Sequence, residues 1–581
     1  MSPSQPSPAI VAQSAVRRLP RAALWVLCIA YVILGFLGRA PWKSADMTAF
    51  GYMAEMASGE SSWLAPTLLG LAPQVDALLP YWLGAWAIQA TSALVTIDYA
   101  VRIPYLVLLA AALIATWYGT YYLARSPNAQ PVAFAFGGEA SAPDYARAMA
   151  DGALLALVAC LGLAQLSHET TPAAAQLGFS ALTFYAASSL PYRMVAPVTS
   201  AVVGLVGLAL SGAPTVAVFL GGGVALIHWL DHNARWEPSE HDTSASKDAS
   251  SRVRLAMGLL GLTAATALMA TLLGLWRWRI QLPHATWAEW EGIGRLLLWF
   301  LWPAWPLALW TLWRWRRQLR ELLSGRINRH LALPLWFVAV ALGNTLLTSS
   351  GDRALLLALP AMAALAAFAL PTLSRSVSAL IDWFTLLFFT GCAVTIWVVW
   401  IALQTGIPPQ PAANVARLAP GFTHSFSYLA FLLSVMATLA WGWLVNWRVG
   451  RHRPAIWKSL VLPASGAVLC WILLMTLWLP LLDFARSYTV LTRSIGAVIK
   501  VSECVQTHGL DRGQIAAFKF QAGLALRAPA EPAVCPWLLV DRDAVASLST
   551  AVDLRQWTPQ YIGYRPTDRD DDVLLYRRVS Q

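Results

Sequence analysis

Long apolar runs with few or no charged residues recur along this 581-residue chain. Each run is roughly 16–22 residues long, which is about what a helix needs to cross the hydrocarbon core of a bilayer. Hydrophobic residues make up 57% of the chain and charged residues only 12%, against roughly 45–50% and 25% in soluble domains. The sequence therefore predicts a polytopic all-α membrane protein of about thirteen transmembrane helices, at 22–38, 101–123, 152–167, 173–190, 194–211, 214–230, 255–276, 293–313, 331–349, 354–372, 383–403, 426–446 and 459–481.

Basic residues predict the orientation of these helices. When the N-terminus is placed inside, the inner segments carry most of the Arg and Lys, beginning with Arg17, Arg18 and Arg21. Cytoplasmic loops of membrane proteins have this excess. The net charge of +11 is therefore explained by topology and not by binding to nucleic acid. An odd number of helices places the C-terminal end outside.

One apolar stretch, 78–96, is not counted as a transmembrane helix. An additional crossing there would reverse every later basic loop. We therefore expect 39–98 to form one long outer loop with two interfacial helices, at roughly 46–58 and 78–94. Aromatic residues near the headgroup level are typical of such helices.

The composition changes after the last apolar run. Residues 1–482 then form the transmembrane domain, and 483–581 form a small α/β domain outside the membrane. Four of the six cysteines lie in apolar runs, where packing is their usual role. Cys504 and Cys535 both lie in the C-terminal domain. They are interpreted either as a disulfide, which suits an oxidising compartment, or as two buried thiols.

Acidic residues at the outer ends of the runs are the candidate functional groups. Asp46 opens the first helix of the outer loop, and Glu169, next to His168, follows the run 152–167. Desolvation raises the pKa of a carboxylate, which suits a general base at a membrane surface. The alternative is that Asp46 caps its helix and that Glu169 caps the helix near Pro172.

Basic and metal-ligating residues lie in the same outer segments. Lys43, Arg102 and Arg353 are candidates for holding a phosphate. Glu169, His168 and His284 are candidate ligands of a divalent metal ion, together with Glu289 and Glu291. The alternative for His284, Glu289 and Glu291 is that they are solvated loop side chains.

Several short motifs occur in an order that is typical of one enzyme family. They are Asp46 with Phe50 and Tyr52, Leu78-Leu79-Pro80-Tyr81-Trp82-Leu83, Arg102-Ile103-Pro104, Glu169, and Arg353 to Pro360. In this order the chain resembles the bacterial GT-C membrane glycosyltransferases, which include the lipid A aminoarabinose transferases and the protein O-mannosyltransferases. It departs from them at Met47, where the family usually has Glu, and before Pro80, where the family usually has Lys.

The resemblance implies a GT-C-like fold and an inverting sugar transferase. Such enzymes take a sugar from a polyprenyl-phosphate donor and pass it to a lipid, such as lipid A, or to a glycan. Asp46 would then be the catalytic base or would orient the acceptor. Glu169 would support it, with a divalent metal ion as an option, and Lys43, Arg102 and Arg353 would hold the donor phosphate. The implied location is the bacterial inner membrane, with a periplasmic C-terminal domain and membrane lipids around the helices.

Two other interpretations remain open. A protein O-glycosyltransferase would use the same type of donor. A membrane transporter or lipid flippase, or a non-catalytic scaffold, would need no donor at all. Transporters usually carry ionisable groups near the middle of the membrane, whereas the acidic residues here lie at the ends of the apolar runs.

Overall fold

The computed structural model of the protein describes residues 7–231, 245–276, 286–323, 326–348, 351–449, 455–499, 503–528 and 535–579. Their α-helices, α1 to α25 in chain order, are Arg21–Leu34, Ala45–Ser58, Leu79–Thr91, Ile97–Ala100, Arg102–Ala124, Ala142–Ala159, Leu163–Leu166, Pro172–Ser189, Val195–Leu210, Pro214–Leu230, Ala245–Leu272, Trp287–Phe300, Ala304–Arg314, Arg316–Leu323, Arg329–Leu347, Gly351–Ala354, Leu359–Ala369, Arg375–Thr405, Pro409–Leu418, Tyr428–Val449, Lys458–Leu474, Leu479–Arg486, Thr489–Gly496, Arg512–Ala516 and Val545–Ala551.

Six helical segments in the described part of the chain are long and apolar enough to cross a membrane, or up to eight if each bent pair counts as one. The six are Ile97–Ala124, Arg252–Leu272, Arg329–Leu347, Gly351–Thr372, Arg375–Thr405 and Tyr428–Arg448. The protein is thus a multi-pass membrane protein, but the predicted count of thirteen is not confirmed. Three of the predicted runs each form a single helix shorter than 18 residues, namely Arg21–Leu34, Val195–Leu210 and Pro214–Leu230.

Three of the predicted runs are interrupted. In the run 152–167, α6 ends at Ala159 and the short α7 follows at Leu163–Leu166. The other two runs are sharply bent. The run 293–313 is divided between α12 and α13, which meet at 87°. The run 459–481 is divided between α21 and α22, which meet at 70°. Pro303 lies in the first of these breaks, and Pro480 lies in the first turn of α22, directly after the second. A proline has no backbone N–H to donate, and its ring clashes with the preceding turn, so a helix bends or ends there.

Helix α17 lies at the centre of the bundle. Every residue of Leu359–Ala369 is buried, and the helix packs against α6, α13 and α15. A helix that is apolar on all sides is expected to be enclosed by other helices. The outer loop expected at 39–98 contains α2 and α3, close to the two helices predicted there.

The C-terminal part contains a five-stranded sheet with the order β2-β1-β3-β5-β4. Its strands are β1 Cys504–His508, β2 Ala525–Arg527, β3 Trp537–Asp541, β4 Trp557–Arg565 and β5 Asp568–Arg578. Strand β1 is parallel to β2 and β3, and β5 is antiparallel to β3 and β4. The predicted small α/β domain is present. The boundary expected at 483 falls inside α22.

Cys504 and Cys535 form a disulfide, with their Cα atoms 5.2 Å apart. The bond joins the start of β1 to the residues just before β3. It therefore links the first parallel strand to the centre of the sheet.

Candidate active site

The segment that joins α1 to α2 is fixed by a buried arginine. The Arg39 guanidinium donates to the backbone oxygens of Gly35 at 3.1 Å and His168 at 2.6 Å. It also donates to Asp46 Oδ2 at 2.7 Å. Both side chains of this ion pair are only 2% exposed. Arg39 thus joins the end of α1, the start of α2 and the segment that follows α7.

Asp46 lies in the first turn of α2 and accepts hydrogen bonds on both carboxylate oxygens. The N–H of Trp42 donates to Oδ2 at 3.2 Å. The N–H and the hydroxyl of Thr170 each donate to Oδ1 at 2.7 Å. The carboxylate is therefore occupied by partners from the adjoining segment and from the segment of Glu169. A simple cap of its own helix would not need these partners.

These contacts determine the ionisation of Asp46. Burial by itself raises the pKa of a carboxyl group. The Arg39 guanidinium and the two hydrogen bonds from Thr170 outweigh burial, so the pKa of Asp46 lies below its ordinary value. This result is contrary to the raised pKa that we expected from the position of the residue alone.

Glu169 lies in the same cluster, one residue before the Thr170 that binds Asp46. Its side chain is 2% exposed, and Arg353 Nη2 lies 3.0 Å from its Oε2. Its other oxygen, Oε1, has a longer contact of 3.4 Å with Gln165 Nε2. Burial raises the pKa of Glu169 above its ordinary value, although Arg353 opposes the shift. Thr171, and not Glu169, caps α8, by accepting from the N–H of Ala174.

Two guanidinium groups border this cluster on its more exposed side. The Arg353 side chain is 28% exposed. Arg486, at the end of α22, is exposed and donates to Gln165 Oε1 at 2.5 Å. The Arg39 and Arg486 guanidinium groups also lie over the ring of Trp42, at 4.8 and 5.5 Å from its centroid. We call Arg353, Arg486 and Trp42 the basic rim of the candidate active site. The buried carboxylates of Asp46 and Glu169 lie behind this rim.

Asp483, also on α22, holds the Trp42 segment in place. Its Oδ1 accepts from the N–H of Ala40 at 2.8 Å and from Trp42 Nε1 at 3.0 Å. The backbone N–H of Lys43 donates to the carbonyl of Arg486 at 2.9 Å. Lys43, a predicted phosphate ligand, is therefore next to this rim.

Arg102 has a different environment from the one we predicted. Its guanidinium donates to the carbonyls of Phe36 at 2.9 Å and Arg39 at 2.6 Å. It is 3% exposed. Both carbonyls belong to the segment that joins α1 to α2, so Arg102 holds this segment in place. The contacts favour a structural role for Arg102 over binding of a phosphate.

The predicted metal ligands are not assembled in the described part of the structure. Both ring nitrogens of His168 face backbone oxygens, those of Ala164 and Tyr31, and burial lowers its pKa to about 4. Among the described residues no group of three His, Cys, Asp or Glu side chains is placed to hold a metal ion. His284 lies outside those residues.

Glu289 and Glu291 lie on α12 and not in a loop. Glu291 forms an exposed ion pair with Arg295 at 2.6 Å. This contact is a common one between side chains four residues apart on a helix surface.

Sequence reasoning missed Arg39, Thr170, Gln165 and Arg486. Arg39 had one usable signal, since it is a basic residue in a segment that is predicted to be outer, where such residues are scarce. Thr170 and Gln165 had none, because their roles depend on contacts that only the folded chain creates.

The helical bundle, the 39–98 segment with Asp46 and the C-terminal sheet define a multi-pass membrane protein with a small C-terminal α/β domain. No family model matches the sequence, and no curated protein matches it. Two solved structures share the fold. One is the crystal structure of ArnT from Cupriavidus metallidurans bound to undecaprenyl phosphate, with a TM-score of 0.60 and 13% identity over 97% of this chain and 99% of that chain. The other is apo ArnT from the same organism, with a TM-score of 0.58 and 12% identity over 96% and 98%.

The chain therefore has the ArnT fold along nearly its whole length. The fold that the sequence resemblance implied is confirmed. At this level of identity the likeness concerns the fold alone.

Proposed function

We propose that the protein is an inverting glycosyltransferase that uses a polyprenyl-phosphate-linked sugar as donor. The acceptor is a lipid similar to lipid A, or a glycan, at the outer face of the bacterial inner membrane. In this orientation the N-terminus is cytoplasmic and the C-terminal domain is periplasmic. Support comes from the fold, which is shared with a protein that was crystallised with undecaprenyl phosphate.

The observation that carries the proposal is the pair formed by Glu169 and Arg353. A transferase of this kind needs a base for the acceptor hydroxyl and a cation for the leaving phosphate. Glu169 is a buried carboxylate with a raised pKa. Arg353 lies 3.0 Å from it and is partly exposed. One ion pair thus supplies both types of group at one place.

Glu169 is better suited than Asp46 to act as the base. Asp46 receives hydrogen bonds from Arg39, Trp42 and Thr170, and its pKa is lowered. A carboxylate with a low pKa is a weak base. We therefore assign proton removal to Glu169 and the positioning of the Thr170 segment to Asp46. This assignment reverses the order of importance that the sequence resemblance implies.

The donor phosphate is assigned to the basic rim. The Arg353 and Arg486 guanidinium groups lie beside Gln165 and Glu169. A guanidinium matches the geometry of a phosphate well, and Lys43 lies next to Arg486. As the acceptor oxygen attacks the anomeric carbon, the bond to the phosphate breaks and the hydroxyl proton passes to Glu169. One such displacement inverts the anomeric configuration. No step is assigned to a metal ion.

The experiment that tests the proposal is mass spectrometry of envelope lipids and glycans. Cells with the gene, without it, and with the Glu169→Gln variant are compared at equal protein levels. We expect one sugar-modified species to disappear in both the deletion strain and the variant. A loss confined to glycoproteins would identify a protein O-glycosyltransferase. Identical lipid and glycan profiles in all three strains would contradict the proposal.

A further inference from the structure

A groove lies at the opposite end of the bundle from Asp46. Its volume is about 260 Å³, and it lies between the starts of α1 and α21 and the end of α20. Helix α1 lines it with Leu24 and Leu27 near its start and reaches the Arg39 segment beyond its end. A helix of 14 residues is roughly 20 Å long, so the groove is separate from the candidate active site.

The groove has an apolar interior and a basic rim. Leu24, Leu27 and Val461 lie inside it. Arg17 and Arg18 precede α1, and Lys458 begins α21. Lysine and arginine at the end of an apolar groove match a ligand with a hydrocarbon chain and an anionic head.

Two tryptophans complete the groove. Trp443 and Trp447 lie one turn apart on α20, and Trp443 is 66% exposed. Tryptophan is enriched at the level of the lipid headgroups. Both rings therefore suit the place where an acyl chain would meet its polar head.

The nearby acidic groups leave the rim basic. Asp144 lies 3.5 Å from Arg18, but the Arg18 side chain is 69% exposed, and such a pair is weak. Asp382 is paired with Arg448. Asp382 also attracts Lys458, while Arg17 adds positive charge beyond these interactions.

We propose that this groove binds one anionic glycerophospholipid, with an acyl chain between α1 and α20 and the phosphate near Arg17 and Arg18. The volume is slightly below that of pockets for whole drug-sized ligands, roughly 300–1,000 Å³. It suits part of one acyl chain, while the head stays at the surface. The proposal is independent of the proposed transferase activity.

Native mass spectrometry of the full-length protein in mild detergent tests this site. The protein is titrated separately with phosphatidylglycerol, phosphatidylcholine and undecaprenyl phosphate. We expect phosphatidylglycerol to bind more tightly than phosphatidylcholine, and its binding, unlike that of undecaprenyl phosphate, to depend on Arg17 and Arg18. Arg17→Gln and Arg18→Gln should each weaken its binding about five-fold, which is the effect of about 1 kcal/mol for one basic residue near an anionic surface.

Two further variants separate the site from general attraction. Arg317→Gln removes an exposed basic residue that does not line the groove, and we expect binding to be unchanged. Trp443→Ala shortens the apolar wall and should weaken phosphatidylglycerol binding without unfolding the protein, because the ring is largely exposed. Equal binding of the charged and the neutral phospholipid would overturn the proposal, as would equal losses from Arg17→Gln and Arg317→Gln. Tighter binding of undecaprenyl phosphate that depends on Arg17 would assign the groove to a polyprenyl phosphate instead.

Discussion

Asp46 and Glu169 are both buried, yet their neighbours shift their pKa values in opposite directions. Asp46 has a buried guanidinium at 2.7 Å and two hydrogen bonds from Thr170. Glu169 has a partly exposed guanidinium and one long contact with Gln165. When the pKa values of two titratable groups in one site are shifted in opposite directions, the two groups are suited to different roles.

The pH dependence of transfer should therefore follow Glu169. Its pKa is raised, so the active carboxylate is lost as the pH falls through a value above about 4.3, the ordinary value for glutamate. We expect the acid limb of the kcat profile to have its midpoint above that value. Initial rates across pH measure it. A limb at or below the ordinary glutamate value would exclude Glu169 as the base.

The Asp46→Asn variant should be less stable as well as less active. The change leaves the Arg39 guanidinium buried without a counter-charge, which costs about 3–5 kcal/mol in comparable pairs. Thermal unfolding in detergent measures the loss. Glu291→Gln breaks an exposed pair with Arg295 and is the matched control, with an expected cost of about 0–1 kcal/mol. An Asp46→Asn protein as stable as this control would contradict the role assigned to the Arg39 pair.

Acid should weaken the ion pair between Asp46 and Arg39. The pKa of Asp46 is lower in the folded protein than its ordinary value. The stability that its ionised form contributes is complete above the ordinary value, about 3.9, and is lost as the pH falls through the folded value. The difference in unfolding temperature between wild type and Asp46→Asn should therefore shrink in acid. A constant difference down to pH 2 would show that the charge of Asp46 is not what stabilises the fold.

At the scale of residues the sequence predicted positions better than roles. Asp46 and Glu169 were predictable because acidic groups next to apolar runs are conspicuous. Their partners were not, since Thr170 and Asp46 are 124 residues apart in sequence. The lowered pKa of Asp46 depends on these partners, so desolvation alone predicted the wrong direction.

At the scale of elements, the end of α1 depends on a glycine. A Cβ atom on Gly35 would lie 2.2 Å from the ring of His168. The carbonyl of His168 accepts from Arg39. The absence of a side chain on Gly35 therefore allows α1 to approach the segment that carries Glu169.

Gly35→Ala should disturb the candidate active site. We expect a loss of about 1–3 kcal/mol, which is typical of an overpacked core, together with lower transfer activity. Gly222→Ala is the matched control, since its Cβ would meet nothing within 4 Å, and alanine is the better helix former. Unfolding temperatures and transfer rates of both variants measure the difference. Equal behaviour of the two variants would show that the close approach of α1 to His168 is unimportant.

The bent helices show what apolar length alone does not predict. Runs of suitable length were recognised at 293–313 and 459–481, but each is divided between two helices. Pro303 and Pro480 are visible in the sequence. Prolines also lie inside α15 and α21, at Pro334 and Pro463, without dividing them. Whether a proline breaks a helix therefore depends on packing that a hydropathy pattern does not contain.

At the scale of the whole molecule, the C-terminal domain is attached to α2. Lys519 Nζ lies 2.6 Å from Glu55 Oε1 on α2, and Arg512 Nε donates to the hydroxyl of Tyr52 at 3.1 Å. The predicted division into a membrane part and a C-terminal α/β part is based on composition alone. It does not predict that the second part packs on the helix that carries Asp46.

The attachment can be tested with two acidic partners of the same lysine. Glu55 is 3% exposed and Glu60 is 57% exposed, and both pair with Lys519. Glu55→Ala should loosen the C-terminal domain by about 1.5–3 kcal/mol, as for other hydrogen bonds to charged groups, and should speed its cleavage in limited proteolysis. Glu60→Ala should change the cleavage rate little. The same cleavage rate for both variants would contradict this attachment.

The most direct test of the whole account is the binding of undecaprenyl phosphate to the purified protein. We predict saturable binding that Arg353→Gln weakens about ten-fold, which corresponds to about 1.4 kcal/mol for one lost charged hydrogen bond. Glu169→Gln and the distant Arg317→Gln should bind almost as wild type does, while only Glu169→Gln abolishes transfer. No saturable binding, or equal binding by wild type and Arg353→Gln, would contradict the assignment of this site to a polyprenyl-phosphate donor.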